Sequence, residues 1–122
     1  MAWSFNAGTA VYIQIARKIR RFVISGRYLP GEKIPTVRQM ASDTAVNPNT
    51  VQRAFSLLES EGLIESRGTL GRFVTNDPEK IKCAKETEAL SIALEFVREA
   101  EELKISKEEI IKLIEEARNE HS

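Results

Sequence analysis

The chain has 122 residues and carries 18 Lys and Arg against 18 Asp and Glu, so its formal net charge is zero. One cysteine and one histidine exclude a disulfide framework and most metal-binding or histidine-dependent catalytic sites, so we expect neither an enzyme nor a cofactor. No apolar run is long enough to span a membrane and no signal segment opens the chain, which predicts a cytoplasmic protein.

The zero net charge is the sum of two unlike parts. Residues 1–77 hold ten basic and six acidic residues, which gives +4, whereas residues 78–122 hold eight and twelve, which gives −4. All prolines and glycines lie between positions 8 and 78, so the second part can form uninterrupted helix. We therefore divide the chain into a basic head, 1–77, which suits an anionic partner, and an acidic helical tail, 78–122.

The first predicted helix covers residues 9–25, where apolar side chains recur at three- and four-residue spacing. Basic residues occupy its remaining positions, and Gly26 is a suitable stop. Before this helix, Trp3 and Phe5 either pack on the tail or a partner subunit or form an exposed arm. Turn residues at 28–31 follow it.

Two further helices are predicted in the head. The shorter one begins after Pro35 and ends near positions 43–45, with Val37, Met40 and Ala41 facing inward. The longer one spans 47–61, since Asn47 is a favoured N-cap and proline is tolerated at the next position. Its inward stripe is Val51, Ala54, Phe55 and Leu58, and its opposite face shows Asn49, Gln52, Arg53 and Ser56.

A hairpin is predicted directly after the third helix. Residues 63–66 and 72–75 have the composition of two short strands. The link between them, 67–71, contains two glycines, as hairpin loops often do. The predicted fold class is therefore mainly α with a small β-hairpin (α+β).

The tail is predicted to form two helices. One runs from Pro78 to about Leu103, and the other opens with the capping box formed by Ser106 and Glu109. So short a segment cannot bury its own apolar stripes, which predicts a dimer interface; folding back on the head is the alternative. The residues expected at this interface are Leu90, Ala93, Phe96, Val97, Ala100, Ile110, Leu113, Ile114 and Ala117.

A short helix, a turn and a capped helix with a polar face form the helix-turn-helix arrangement of DNA-binding proteins. Asn49, Gln52 and Arg53 are of the types that hydrogen-bond base edges, and Thr50 suits a phosphate oxygen. Arg67 and Arg72 add positive charge in the hairpin, which has the position of a wing. The alternative is a winged-helix protein-interaction module whose acidic tail docks another protein.

Several segments strongly resemble the DNA-binding domain of GntR-family bacterial transcription regulators. They run in unbroken order across residues ~9–75 and include 29–41, 46–54, 57–64 and 71–74. The resemblance implies a winged helix-turn-helix head with DNA contacts from Arg38, from the start of helix 47–61 in the major groove, and from the wing tip 67–71 in the minor groove. The complete candidate set is Thr36, Arg38, Asn47, Asn49, Thr50, Gln52, Arg53, Arg67, Gly68, Gly71 and Arg72.

The chain departs from the family's pattern at three points. Pro48 stands where many members carry a base-reading arginine, and Gln52 stands where others have arginine. The wing reads Gly-Thr-Leu-Gly-Arg from 68 to 72, instead of the commoner Gly-x-Gly-Thr. These departures bear on which operator is bound, not on binding itself.

The short tail resembles that of the YtrA-type subfamily, in which it mediates dimerisation. Only about 45 residues follow the head, too few for the family's large effector-binding domains. The resemblance implies a homodimeric regulator, which we expect to be a repressor, on a pseudo-palindromic double-stranded operator with half-sites about one helical turn apart. A cleft between tail and head could admit a small-molecule effector, which no residue set identifies.

Overall fold

A computed structural model describes residues 3–121, which contain five α-helices and one two-stranded antiparallel sheet. The predicted fold class, mainly helical with a small hairpin, is confirmed. The elements, in chain order, are α1 Val11–Ile24, α2 Val37–Thr44, α3 Pro48–Ser60, β1 Ile64–Ser66, β2 Arg72–Val74, α4 Pro78–Glu102 and α5 Lys107–His121. Contacts between Cα atoms divide the chain into two compact units, Met1–Lys85 and Glu86–Ser122.

The core of the first unit is built mainly from α1 and α3. The stripe predicted for α3 is fully buried: Val51, Ala54, Phe55 and Leu58 are each 0% exposed. From α1, the residues Ile15, Ala16, Ile19 and Val23 pack against it. This burial fixes which face of α3 points outward, because a helix with one apolar stripe has only one way to face its core.

Trp3 and Phe5 pack on the core of the first unit, which differs from both expectations for these residues. The Trp3 ring lies 6.1 Å from the ring of Phe22, in an edge-to-face arrangement. Gln14 holds the same segment through its side-chain amide, which donates to the carbonyl of Asn6 at 2.9 Å and accepts from its N–H at 3.0 Å. The residues before α1 are thus anchored to α1.

A segment between α1 and α2 joins the hairpin, which the sequence did not predict. The N–H of Gly31 donates to the carbonyl of Val74 at 3.0 Å, and the N–H of Val74 donates to the backbone carbonyl of Glu32 at 2.8 Å. The N–H of Ile34 donates to the carbonyl of Arg72, also at 3.0 Å. These bonds tie β2 to the body of the head, so β2 is paired along both of its edges, with β1 on one side and with this segment on the other.

The second unit contains α4 from Glu86 onward and the whole of α5. Ala100 is the one buried residue among those described in it, and most large apolar side chains are exposed. The turn between the helices is closed by Lys104, whose φ is +58°, and by a hydrogen bond of 3.0 Å from the N–H of Ile105 to the carbonyl of Ala100. None of the helices formed by residues 3–121 is long and apolar enough to cross a membrane.

Candidate nucleic-acid interface

The start of α2 carries two of the predicted contacts. Thr36 caps the helix: its hydroxyl accepts from the N–H of Gln39 at 3.1 Å, and its own N–H donates to the Gln39 side chain at 2.9 Å. This reciprocal capping box satisfies backbone donors that a helix start leaves open. Arg38, two residues further on, is exposed. The cap therefore fixes the turn of helix from which Arg38 projects.

The start of α3 is capped by Asn47, as predicted. Its side-chain oxygen accepts from the N–H of Asn49 at 2.8 Å, and Pro48 occupies the first turn. Proline is pre-organised for that position and leaves no N–H unsatisfied there. The Asn47 side chain thus has a structural task, and its contact with DNA stays a prediction.

The outward face of α3 is polar along two turns. Asn49, Gln52, Arg53 and Ser56 are all exposed, and Thr50 is partly so. They lie at the spacing that places side chains on one side of a helix, opposite the buried stripe. The structure therefore brings the predicted base-contacting residues together on a single ridge.

Arg53 is held by an aromatic ring of α1. Its guanidinium carbon lies 4.0 Å from the ring centre of Tyr12, within the distance of a cation–π interaction. An arginine that stacks with one face on a ring keeps its N–H groups free along its edge. Arg53 can therefore donate to DNA without leaving Tyr12.

The wing tip is a tight turn between β1 and β2. The N–H of Arg67 donates to the carbonyl of Gly71 at 2.8 Å, and Gly68–Leu70 form one 3₁₀ turn. Gly71 has φ +107° and ψ −161°, a conformation essentially reserved for glycine. The Arg67 guanidinium lies 4.4 Å from the ring centre of Phe73. The two wing glycines thus form the turn that their positions predicted.

Arg72 connects the wing to α3. Its Nε donates to Oε1 of Glu59 at 2.5 Å, and its Nη2 donates to Oε1 of Gln52 at 3.3 Å. Its guanidinium carbon lies 5.3 Å from the ring centre of Phe55. The sequence analysis did not single out Glu59, although an acidic side chain on α3 of a basic head was an available signal.

The residues predicted for the dimer interface are mostly exposed within the second unit. Phe96 is 40% exposed and Leu90 61%, whereas Val97 and Ile110 are half-buried. Ile92 and Leu94, outside the predicted stripe, are exposed as well. A groove lined by both helices includes Phe96, Ala100, Leu103, Leu113, Ile114 and Ala117. Exposed apolar side chains thus surround this part of α4 and line one face of α5.

The sequence of this chain matches a known protein family and is similar to individual members of it. The profile of the family described as bacterial regulatory proteins, gntR family, matches residues 11–74. The HTH-type transcriptional regulator YhcF of Bacillus subtilis is 36% identical over 107 residues, which are 88% of each chain. The HTH-type transcriptional repressor YtrA of the same organism is 35% identical over 72 residues, covering 59% of this chain and 55% of YtrA.

Solved structures agree with these sequence matches. A GntR family transcriptional regulator from Listeria monocytogenes superimposes with a TM-score of 0.86 at 31% identity, covering 92% of this chain and 98% of that one. The DNA-binding domain of AraR, solved in complex with operator ORX1, superimposes with a TM-score of 0.54 at 26% identity. That match covers 62% of this chain and 95% of the AraR domain.

Proposed function

The chain belongs to the gntR family of bacterial regulatory proteins, and from this premise we propose that it is a sequence-specific DNA-binding transcription regulator. The observation that carries the proposal is the exposed polar face of α3 above a fully buried apolar stripe. That face offers amide and guanidinium groups, which hydrogen-bond base edges in the major groove. The positive head charge favours the phosphate backbone on either side.

Three parts of the head contact DNA in this proposal. The segment 47–61 enters the major groove, and the wing tip 67–71 enters the adjacent minor groove. Arg38 at the start of α2 contacts phosphate, which orients the head on the duplex. The head, 1–77, is the DNA-binding domain in this assignment, and the tail, 78–122, is the dimerisation domain.

We propose that the protein acts as a repressor in the cytoplasm and has no enzymatic role. One relative, YtrA, is named a transcriptional repressor, and the AraR domain was solved on operator DNA. A protein that occupies an operator represses by excluding other proteins from it.

The proposed regulator is a homodimer. Large apolar side chains that the second unit leaves exposed include Leu90, Ile92, Phe96, Leu103 and Ile114. Phe96, Leu103 and Ile114 line one apolar groove, and exposed apolar surface of this kind marks an interaction site. A second copy of the same surface is its simplest partner and places two heads on a pseudo-palindromic operator. Light scattering on the full chain should give twice 13.8 kDa, and a particle of 13.8 kDa would contradict the dimer.

DNA binding is tested by selection with the full chain. We expect the protein to enrich one sequence from a random duplex library and to bind it about a thousandfold more tightly than a scrambled duplex. Binding should weaken steeply with salt, and Arg38→Ala should reduce the slope of log K against log salt by about one. Equal affinity for both duplexes, or no binding, would contradict the proposed function.

A further inference from the structure

We propose that Glu59 is a positioning residue that acts through Arg72 to set which hydrogen-bonding group Gln52 presents to DNA. The inference rests on the proposed function, and deepens it by naming the class of base pair that Gln52 reads. Glu59 need not touch DNA in this arrangement. Its effect passes through two hydrogen bonds, from Arg72 to Glu59 and from Arg72 to Gln52.

The first step is the ion pair of Glu59 with Arg72. The distance from Nε to Oε1 is 2.5 Å, and both side chains are partly buried, with 31% and 23% of their surface exposed. Hydrogen bonds between ionised groups are shorter and stronger than neutral ones. The ring of Phe55 lies against the guanidinium from α3. Together these contacts fix the plane of the guanidinium and therefore the direction of its remaining N–H groups.

The second step is the bond from Arg72 to Gln52. Nη2 of Arg72 donates to Oε1 of Gln52, so the amide oxygen faces the wing. Rotating the amide by half a turn would bring its NH₂ group against the guanidinium, and two donors cannot bond each other. Nε2 of Gln52 therefore faces away from the wing, where one of its two hydrogens is donated to the hydroxyl of Ser56 at 3.4 Å and the other is left for DNA.

The third step concerns what DNA meets at this point. A glutamine that reads adenine bidentately uses its oxygen and its NH₂ group together. Here the oxygen is engaged by Arg72, and both Nε2 and the guanidinium offer donors. Guanine presents two acceptors, O6 and N7, on its major-groove edge. The pair of Gln52 and Arg72 therefore favours guanine over adenine at the base pair beneath it.

Gln52 and Arg72 are two of the positions at which the chain departs from the common family pattern. They lie 20 residues apart in sequence and contact each other in the structure. The contact joins two departures into one unit, in which the wing supplies the guanidinium and α3 supplies the amide. Glu59 fixes the position of the Arg72 guanidinium, and thereby the orientation of the Gln52 amide.

The test compares variants of the full chain on two duplexes. One is the sequence that the wild type selects from a random library, and the other has the G·C pair assigned to Gln52 replaced by A·T. That pair is located as the one at which Gln52→Ala loses discrimination. We expect Glu59→Ala to reduce the preference for G·C about tenfold. The double variant Gln52→Ala/Glu59→Ala should show the same preference as Gln52→Ala alone, because Glu59 acts only through Gln52.

Two variants separate positioning from charge. Glu59→Gln removes the charge but keeps an oxygen that accepts from Nε of Arg72, so most of the preference should remain. Glu61→Ala is the matched control, because Glu61 also pairs with an arginine at this end of α3, through Nη2 of Arg20 at 2.8 Å from its Oε2. It should leave the preference unchanged. Thermal unfolding establishes that each variant is folded.

The remaining outcomes overturn the inference. If Glu59→Ala binds both duplexes more tightly by the same factor, Glu59 acts only by repelling phosphate. If it weakens both equally, its role is only structural, and if the selected pair is A·T, the donor assignment is wrong. In all three cases the wild type still selects a sequence, so the proposed function stands. A wild type that selects nothing overturns both.

Discussion

The three arginines predicted to contact DNA from α3 and the wing each lie over an aromatic ring. Arg53 stacks on Tyr12, Arg67 on Phe73 and Arg72 on Phe55. A free arginine side chain loses conformational entropy when it binds, and this loss weakens binding. The rings restrict these side chains in the free protein. The head is therefore partly pre-organised for DNA at the level of single side chains.

Replacing Tyr12 tests this pre-organisation. Tyr12→Leu removes the ring beneath Arg53, and we expect the affinity for the selected duplex to fall about threefold, as an exposed cation–π contact implies. Tyr12→Phe keeps the ring and should bind like the wild type. Fluorescence titration of the folded proteins measures both. Equal losses in the two variants would show that the ring does not act through Arg53.

Tyr28 gives the head a defined response to alkaline pH. Burial raises the pKa of its hydroxyl above the usual 10.0, and although the Arg27 guanidinium lowers it, Glu32 and Asp43 raise it further. Because the folded pKa is the higher one, the stability that Tyr28 contributes is complete below pH 10.0 and is lost as pH rises through the folded pKa.

The variant Tyr28→Phe isolates this effect, since it retains the ring but cannot ionise. We expect the melting temperature of the wild type to fall relative to that of Tyr28→Phe only above pH 10.0. The difference between the two proteins should be constant from neutral pH to that point. A difference that grows on the acidic side instead would contradict the sign of the shift.

At the scale of elements, the sequence predicted what local patterns determine. The periodic apolar residues of α3, together with Asn47 and Pro48, predicted a helix within a residue or two of its observed ends. The pairing of residues 31–34 with β2 was missed, because that segment is short and its partners lie about 40 residues away. The same is true of Arg53 on Tyr12 and Arg72 on Glu59, which depend on packing between elements.

The wing offers a matched pair of glycines for a prediction about its stability. Gly71 has φ +107° and ψ −161°, which a residue with a Cβ rarely adopts, whereas Gly68 has φ +56°, in the left-handed region that asparagine tolerates. Gly71→Asn should lower the free energy of unfolding by about 1–3 kcal/mol. Gly68→Asn should lower it by less than about 1 kcal/mol.

Urea denaturation of the two asparagine variants provides the measurement. The two substitutions add the same side chain, so the comparison isolates the backbone conformation from the size and polarity of asparagine. A Cβ at Gly71 would also lie 2.9 Å from Cε of Lys33, but that flexible chain can move aside. Equal losses at both positions would contradict an origin in the φ and ψ of Gly71.

At the scale of the whole molecule, the zero net charge is the sum of two parts of opposite charge, to which we assign different tasks. The head carries +4 and the tail −4, so attraction to phosphate is concentrated in the head. The exposed apolar side chains are concentrated in the second unit. The positive charge and the exposed apolar surface thus lie in different parts of the chain. The first suits the proposed binding of DNA, and the second suits the proposed binding of a second copy. The two tasks are linked because a dimer presents two heads to one duplex.

This linkage predicts a specific loss when the dimer is broken. Ile114 is 46% exposed and lines the apolar groove of the second unit, so Ile114→Asp should disrupt dimerisation without unfolding the head. The wild type should bind a duplex with two half-sites about a hundredfold more tightly than one with a single half-site, because its second head binds intramolecularly. The variant should bind the two duplexes within about twofold of each other, the statistical factor for two independent sites.

The single half-site duplex serves as the internal control, since one head occupies it in either protein. Both proteins should bind it alike, and light scattering should give 13.8 kDa for the variant. Ile13→Asp, at a 40% exposed apolar position of α1, should leave the dimer mass unchanged. A variant that is monomeric yet keeps the preference for two half-sites would show that the heads associate through the DNA-binding unit itself, and that the tail is not what couples them.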